Sequence, residues 1–511
     1  MKSYIKILCL LMVAIALILG NCSKKKSTQT DNGTPTDTQS PSVTITAPTS
    51  GATYATNQST VDLGGTASDD EGVTSVTWAN VSVATGASGN CTGTTSWSVS
   101  GITLQAQDNL IVITASDSAN NTGKDSLTVT YTEEPEGTIK WQLTLDRWYN
   151  PTHDPAMGPD GTIYVTATTD SGPLAKLYAV APDGTKKWEC ELSTWCADNP
   201  VVGSDGTIYA ISYSSVDAVS PNGTLQWEWV ADPVADINGL TLGDDGTIYV
   251  GHHGSGAYYR KVFAINPNGT QKWSIELSGS SHTGLTIGQN GEVYVSDANG
   301  ESNYPLYAVD PDNGSALWSV ELGNWVSVGG MAVGSDGSIY VPLPCGPGGK
   351  LVAISPNHTI SWEYALPVTS GIPSIGPDGT IYVIAGSGYV DGDLYALTSN
   401  GTLKWNAGNA PAAHSVAIAS DGTIYFCGEN PSPQGNFTAV NPDGSIKWTL
   451  DIPTGAGSPL IGSDGTIYVS GGNTMYEGAV LTAVYGSSPL ASSSWPRARH
   501  DNSNTGSYGG Y

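Results

Sequence analysis

The residues able to do chemistry in this chain are scattered, not clustered. Five of the seven histidines, His153, His252, His253, His282 and His414, fall between apolar runs, in segments that also carry Trp148, Tyr149, Trp195, Tyr258, Tyr259, Trp325 and Tyr389. Rings with dispersed carboxylates suit a sugar or an extended peptide: the ring stacks and the acids accept hydrogen bonds. Trp148, Tyr149, His153, Trp195, His252, Tyr258, Trp325 and Tyr389 are therefore the candidate ligand contacts; the alternative is that these aromatics only cover a rim. Adjacent side chains such as His252 and His253 rarely face one ion, and no third ligand is identifiable, so no metal site is expected. Neither a CxxC pair nor a GxSxG elbow is present, and Asp391 with Asp393 reads as loop solubility, so no catalytic residue is assigned. Cys190 and Cys196 are close enough for a disulfide in an oxidising compartment, two separate buried thiols being the alternative.

These residues hang on a repeat. A motif of the form Asp-Gly-Thr-Ile-Tyr-Val recurs at Asp160, Asp205, Asp245, Asn290, Asp336, Asp378, Asp421 and Asp464, in steps of 40 to 46 residues. A second element ends at Trp141, Trp188, Trp227, Trp273, Trp318, Trp362, Trp405 and Trp448, in steps of 39 to 47. Both series count eight. In the second repeat the strands read as 200–202, 207–211, 216–219 and 224–230, with Asp205-Gly206 and Asn222-Gly223 between the outer pairs. Asp-Gly and Asn-Gly are strong hairpin signals, because both positions accept positive φ. Each repeat is thus a four-stranded meander, one propeller blade.

The ends of the repeat region complement one another. Residues 137–145 read as a fourth strand with no first three before it, and 458–484 as three strands with no Trp-bearing fourth after them. The expectation is an eight-bladed β-propeller over 137–486, closed by the N-terminal strand of the repeat region, with 487–511 as a C-terminal tail. One Trp per blade is expected to pack between neighbouring blades, burying on the order of 150–250 Å² each. In a meander of this kind the connections that carry the candidate contacts share one side, opposite the short Asp-Gly turns.

Before the repeats, residues 42–134 alternate with period two in runs at 42–47, 60–67, 73–83, 96–102, 109–116 and 125–132, which predicts an Ig-like β-sandwich with Trp78 in its core. The whole chain is therefore all-β. The segments at 66–73 and 114–121 are similar to those of bacterial Ig-like and cadherin-like surface modules. Asp69, Asp70, Glu71 and Asp117 have the oxygen chemistry of a Ca²⁺ site, but Asp at a strand end more often caps a turn, and calcium is not expected.

The first 21 residues are an address: two lysines, then the apolar run 7–19, too short to span a bilayer stably. Leu19-Gly20-Asn21-Cys22 resembles a lipoprotein processing box, which implies a lipid anchor on Cys22 and an exported, outer-membrane lipoprotein of the cell envelope. Asn21 departs from the small residue usual before the cysteine. Residues 22–41 are polar and read as a flexible tether.

The Leu-Tyr-Ala-Val…Asp-Gly-Thr…Trp run at 177–188 and its partial copies resemble the quinoprotein-like, pyrroloquinoline-quinone-type repeat family, and the tail Trp495-Pro496-Arg497…Asn504-Thr505-Gly506 is similar to a segment at the ends of such propellers. That family mixes dehydrogenases, sensor domains and outer-membrane assembly lipoproteins, so the resemblance implies the fold and leaves the function open. Its catalytic members resemble one another in a vicinal Cys pair and in calcium ligands; this chain has neither adjacent cysteines nor a CxxCH haem motif. A net charge of −27 opposes a nucleic-acid partner. The expectation is a monomeric binding or scaffold lipoprotein without cofactor, membrane-held through its lipid and engaging a protein or glycan partner. The alternative is a periplasmic quinone-dependent oxidoreductase.

Overall fold

In the computed structural model the described residues are 37–505, except 84–85, 133, 146–153, 169–174, 195–198, 233–235, 254–259, 278–283, 297–304, 324–329, 344–348, 368–370, 389–390, 409–414, 429–434, 454–456, 473–478, 498–499 and 502–503. The chain divides into two compact units, Met1–Glu133 and Glu134–Tyr511.

In the first unit the period-two alternation builds β1 (Ser42–Ala47), β2 (Thr53–Thr56), β3 (Thr60–Ser68), β4 (Val73–Asn80), β5 (Ala87–Asn90), β6 (Ser96–Thr103), β7 (Gln107–Asp117) and β8 (Thr122–Tyr131). They form two sheets, β1-β3-β6 and β2-β8-β7-β4-β5, whose facing residues share one core that includes Val43, Leu63, Ile111, Ile113 and Leu127. The buried tryptophan of that core is Trp97, 2% exposed, and not Trp78, which packs half-buried at its margin against Gly89. The strand of Trp78 has an irregular burial pattern, so its parity does not carry the ring fully inward. Buried Asn80 donates to Asn109 Oδ1 at 2.9 Å, and Asn109 Nδ2 in turn donates to Gln105 O at 2.7 Å, so the core's polar pair is satisfied.

The second unit consists of repeated four-stranded antiparallel sheets, eight among the described residues. The second sheet runs Val201–Val202, Ile208–Ser212, Ser215–Val219, Leu225–Val230, within about one residue of the boundaries read from its turns. Its first turn shows why the motif recurs: Asp205 Oδ1 and Oδ2 accept from Thr207 N and Oγ1, both at 2.9 Å, while Gly206 adopts φ 81°. The last sheet joins Leu460–Ile461, Thr466–Gly472 and Ala479–Tyr485 to β9 (Ile139–Thr144), the first strand of the unit, with Leu481 opposite Leu143. Leu145, Ile163 and Val165 lie in one apolar cluster with Leu460, Tyr468 and Leu481, so the first and last sheets pack together.

The repeat tryptophans stitch each sheet to the next. Trp188 Nε1 donates to Pro221 O at 2.9 Å, and Trp227 Nε1 to Pro267 O at 3.0 Å, each ring lying over the glycine of the neighbouring turn. Trp141 on β9 makes the same bond to Pro182 O at 2.9 Å. The fifth sheet departs from the pattern: His358 replaces the turn glycine, and its ring stacks on Trp318 at 4.3 Å. Of these tryptophans only Trp273 is buried outright, at 8% exposure; the others keep one edge in water. Their individual contribution is accordingly below that of full indole burial, because they sit on the outermost strand.

Candidate functional site

Of the eight residues singled out as ligand contacts, Trp148, Tyr149, His153, Trp195, Tyr258, Trp325 and Tyr389 lie outside the described residues, as does Cys22. His252 does not stand on an open loop. It closes the strand Ile248–His253, is 2% exposed, pairs with Ile237 and Lys261, and meets Phe263 edge-on at 5.8 Å. The apolar run before it extends the strand further than its turn signals indicated, which draws the imidazole into the sheet. Cys190 is a free, half-buried thiol on Lys186–Glu191, and Cys196 is outside the described residues. Burial, with the nearby Asp217 carboxylate, pushes the Cys190 thiol above its ordinary range, so it is not an activated nucleophile.

The described structure instead draws attention to the tail. The described residues between 489 and 505 do not trail away; they bond to the first strands of several sheets of the second unit. Ile375 N donates to Trp495 O at 2.6 Å, Ile418 N to Pro496 O at 2.9 Å, and Leu242 N to Thr505 O at 2.8 Å. Arg497 is wholly buried and fixes the middle of this segment. Its Nε donates to Pro459 O at 3.1 Å, and Nη1 to Asp501 O at 2.8 Å and Asn504 Oδ1 at 2.6 Å. Asn504 Nδ2 reaches Pro155 O and Pro200 O at 3.3 and 3.0 Å. The sixth, seventh, eighth, first, second and third sheets therefore all hydrogen-bond to one segment. Polar links between successive first strands run beside it: Asp154 N donates to Asn199 Oδ1 and Ser458 N to Asp154 Oδ1, both at 2.6 Å.

A polar cavity of about 570 Å³ opens on the Asp-Gly-turn side, between the fifth and sixth sheets and the tail. Ser335, Asp336, Tyr340, Ser399, Ser494 and His500 are among the residues that line it. Burial, and then the Asp336 carboxylate, push the Tyr340 hydroxyl up to about 12, so it stays a neutral donor and acceptor at any physiological pH. Sequence reasoning looked to the opposite side, where the connections are longer, and missed this cavity.

In the first unit, carboxylate oxygens of Asp37, Asp69 and Asp70 lie within 4.8 Å of one another. Asp117 lies outside this cluster, and its Oδ1 accepts from Ala119 N and Asn121 N at 2.8 Å. Asp69 Oδ2 accepts from Glu71 N at 3.0 Å, the turn-capping role anticipated for it.

The repeated sheets define a propeller-like, all-β protein, and comparison with known proteins agrees. A family model described as outer membrane protein assembly factor BamB, a repeat of the pyrroloquinoline-quinone type, matches residues 302–487, short of half the chain and ending where the tail begins. No curated protein matches. Among solved structures, the Dos1 propeller superposes with TM-score 0.50 at 11% identity, over 69% of this chain and 96% of that one. A virginiamycin B lyase from Staphylococcus aureus superposes with TM-score 0.41 at 14% identity, over 67% and 98%. A eukaryotic initiation factor gives TM-score 0.40 at 10% identity, over 74% and 96%. At 11% identity the Dos1 superposition shows the fold alone.

Proposed function

We propose that the protein is an exported binding or scaffold lipoprotein of the cell envelope, anchored through Cys22, whose Ig-like sandwich spaces an eight-bladed propeller from the membrane. The ring is closed by β9, and its variable connections engage a protein or glycan partner. One observation carries this reading. The second strand of each sheet passes to the third over connections of very unequal length, from Ser212 to Ser215 in the second sheet to Ser296 to Pro305 in the fourth, while the Asp-Gly turns opposite stay short. A regular scaffold with irregular connections on one side is how repeat folds separate stability from recognition. In this reading the protein is not an enzyme.

The test has two arms. Cys22→Ala is expected to move the protein from the membrane to the soluble envelope fraction. Crosslinking from positions 148, 258 and 325 in intact envelopes, followed by mass spectrometry and a glycan array, is expected to give one partner that is lost when those side chains are replaced by Ser. Dye-linked oxidation of alcohols or sugars on adding quinone with Ca²⁺ would overturn the binding reading.

A further inference from the structure

The turn that joins the third and fourth strands carries proline in six repeats, at Pro182, Pro221, Pro267, Pro311, Pro356 and Pro442. In the sixth repeat the same position is Ser399. Where the proline is present, its ring commonly covers the glycine of the same sheet's Asp-Gly turn. A Cβ on Gly206 would meet Pro221 Cγ at 3.0 Å, one on Gly246 would meet Pro267 at 3.0 Å, and one on Gly422 would meet Pro442 at 2.9 Å. Beside Gly379 nothing lies within 4 Å, as also beside Gly291 in the fourth sheet, which keeps its proline. Ser399, where the ring is missing, and Gly379 both lie on the wall of the 570 Å³ cavity.

The molecule also indicates what such a niche accepts. Between the seventh and eighth sheets the equivalent tyrosine and aspartate are Tyr425 and Asp421. There the chain fills the space with its own serines: Tyr425 OH and Ser487 Oγ are 2.8 Å apart, and Ser488 Oγ accepts from Asp421 N at 3.1 Å. Tyr340 and Asp336 line the open cavity together with Ser335, Ser399, Ser494 and His500, and Asp336 Oδ1 and Oδ2 also accept from Ser338 N and Oγ at 2.9 Å.

From this we propose that the cavity between the fifth and sixth sheets is a saccharide-binding site. Hydroxyls that both donate and accept, one carboxylate and one imidazole match a ligand made of hydroxyl groups, and a pocket of a few hundred Å³ holds one or two sugar rings. Asp336 and the chain's net charge of −27 disfavour phosphate and other anions. Because Ser494 and His500 belong to the tail, a bound sugar also ties the tail to the fifth and sixth sheets. The site is on the turn side and is independent of the partner surface proposed above.

The experiment is saturation-transfer NMR and calorimetry on the full chain in detergent, with glucose, galactose, N-acetylglucosamine, maltose and cellobiose as probes. At least one is expected to bind, in the millimolar range or tighter. Ser399→Pro restores the residue its six sister turns carry; it is expected to weaken binding more than tenfold without lowering the melting temperature. Tyr340→Phe is expected to weaken it several-fold, and Tyr425→Phe, in the niche already filled, to leave it unchanged. No binding by any of the five sugars, or binding that Ser399→Pro leaves intact, overturns the proposal. Loss of the partner crosslinks at the other face with sugar binding retained would sink the earlier reading and not this one.

Discussion

Replacing Arg497 with methionine tests whether the tail is a structural axle or a passive strap. Methionine keeps most of the aliphatic volume, so the cavity penalty is small and the change isolates the guanidinium. Among the described partners that group donates three bonds between 2.6 and 3.1 Å, to Pro459 O, Asp501 O and Asn504 Oδ1, with a longer contact of 3.4 Å to Ser458 O. Hydrogen bonds from a charged donor contribute about 1.5–3 kcal/mol each, so the three good ones are worth roughly 5–9 kcal/mol before solvation is counted. Dehydrating the guanidinium offsets several kcal/mol of this, while each neutral acceptor left unpaired costs about 1–3 kcal/mol, so a net loss of about 3–5 kcal/mol is expected. Urea unfolding of the variant reads that loss as a lower midpoint at unchanged slope. Hydrogen exchange adds the local test: the amides of Ile375, Ile418 and Leu242, which donate to tail carbonyls, are expected to lose protection before the rest of their sheets. A loss below about 1 kcal/mol with those three amides still protected would refute the assignment, since typical single intramolecular bonds are worth that much.

Gly444 adopts φ 89°, and a Cβ there would stand 2.8 Å from Trp405, so Gly444→Ala is expected to cost about 1–3 kcal/mol by thermal denaturation. Gly379→Ala, at φ 76° with nothing nearby, carries only the backbone part, and is expected to cost less than Gly444→Ala in the same assay. Burial pushes the Tyr164, Tyr340 and Tyr382 hydroxyls up to about 12, with neighbouring aspartates adding to it. A folded pKa above the unfolded value of about 10 gives stability that is present below pH ~10 and lost as pH rises toward ~12, so cooperative unfolding with a late step in ultraviolet phenolate absorbance is expected in that interval. Cys427 is buried with its thiol pushed far up by that burial, so an anionic disulfide reagent is expected to leave it untouched until denaturant is added; reaction in the native state would contradict its position in the sheet.

Much of the fold was legible because its turns are chemically explicit. Asp205 and Gly206 announce their hairpin by side-chain acceptor and positive φ, and the four strands around them fell within a residue of expectation. β2 and β5 were missed because both are four-residue strands with little buried surface, and therefore carry little apolar alternation. The contacts of the tail were not legible for a related reason. It binds through backbone carbonyls and one buried cation, and such contacts leave no periodic trace in a sequence. Ser399 was visible all along as the one proline missing from the series, but its meaning depends on knowing that the proline ring covers a glycine in its own sheet. His252 was misplaced because strand length, unlike strand identity, depends on the partners across the sheet.

The pairing of β9 with the last strand has a consequence for biogenesis. Gln142 and Thr482 touch although 340 positions separate them, so the opening strand of the second unit leaves the ribosome with no mate and must wait for nearly the entire remaining polypeptide. Closing so long a span is entropically slow, and an unmated edge is a template for mispairing while it lasts. A chaperone that shields one lone edge would then be worth more to this protein than one that shields its apolar core.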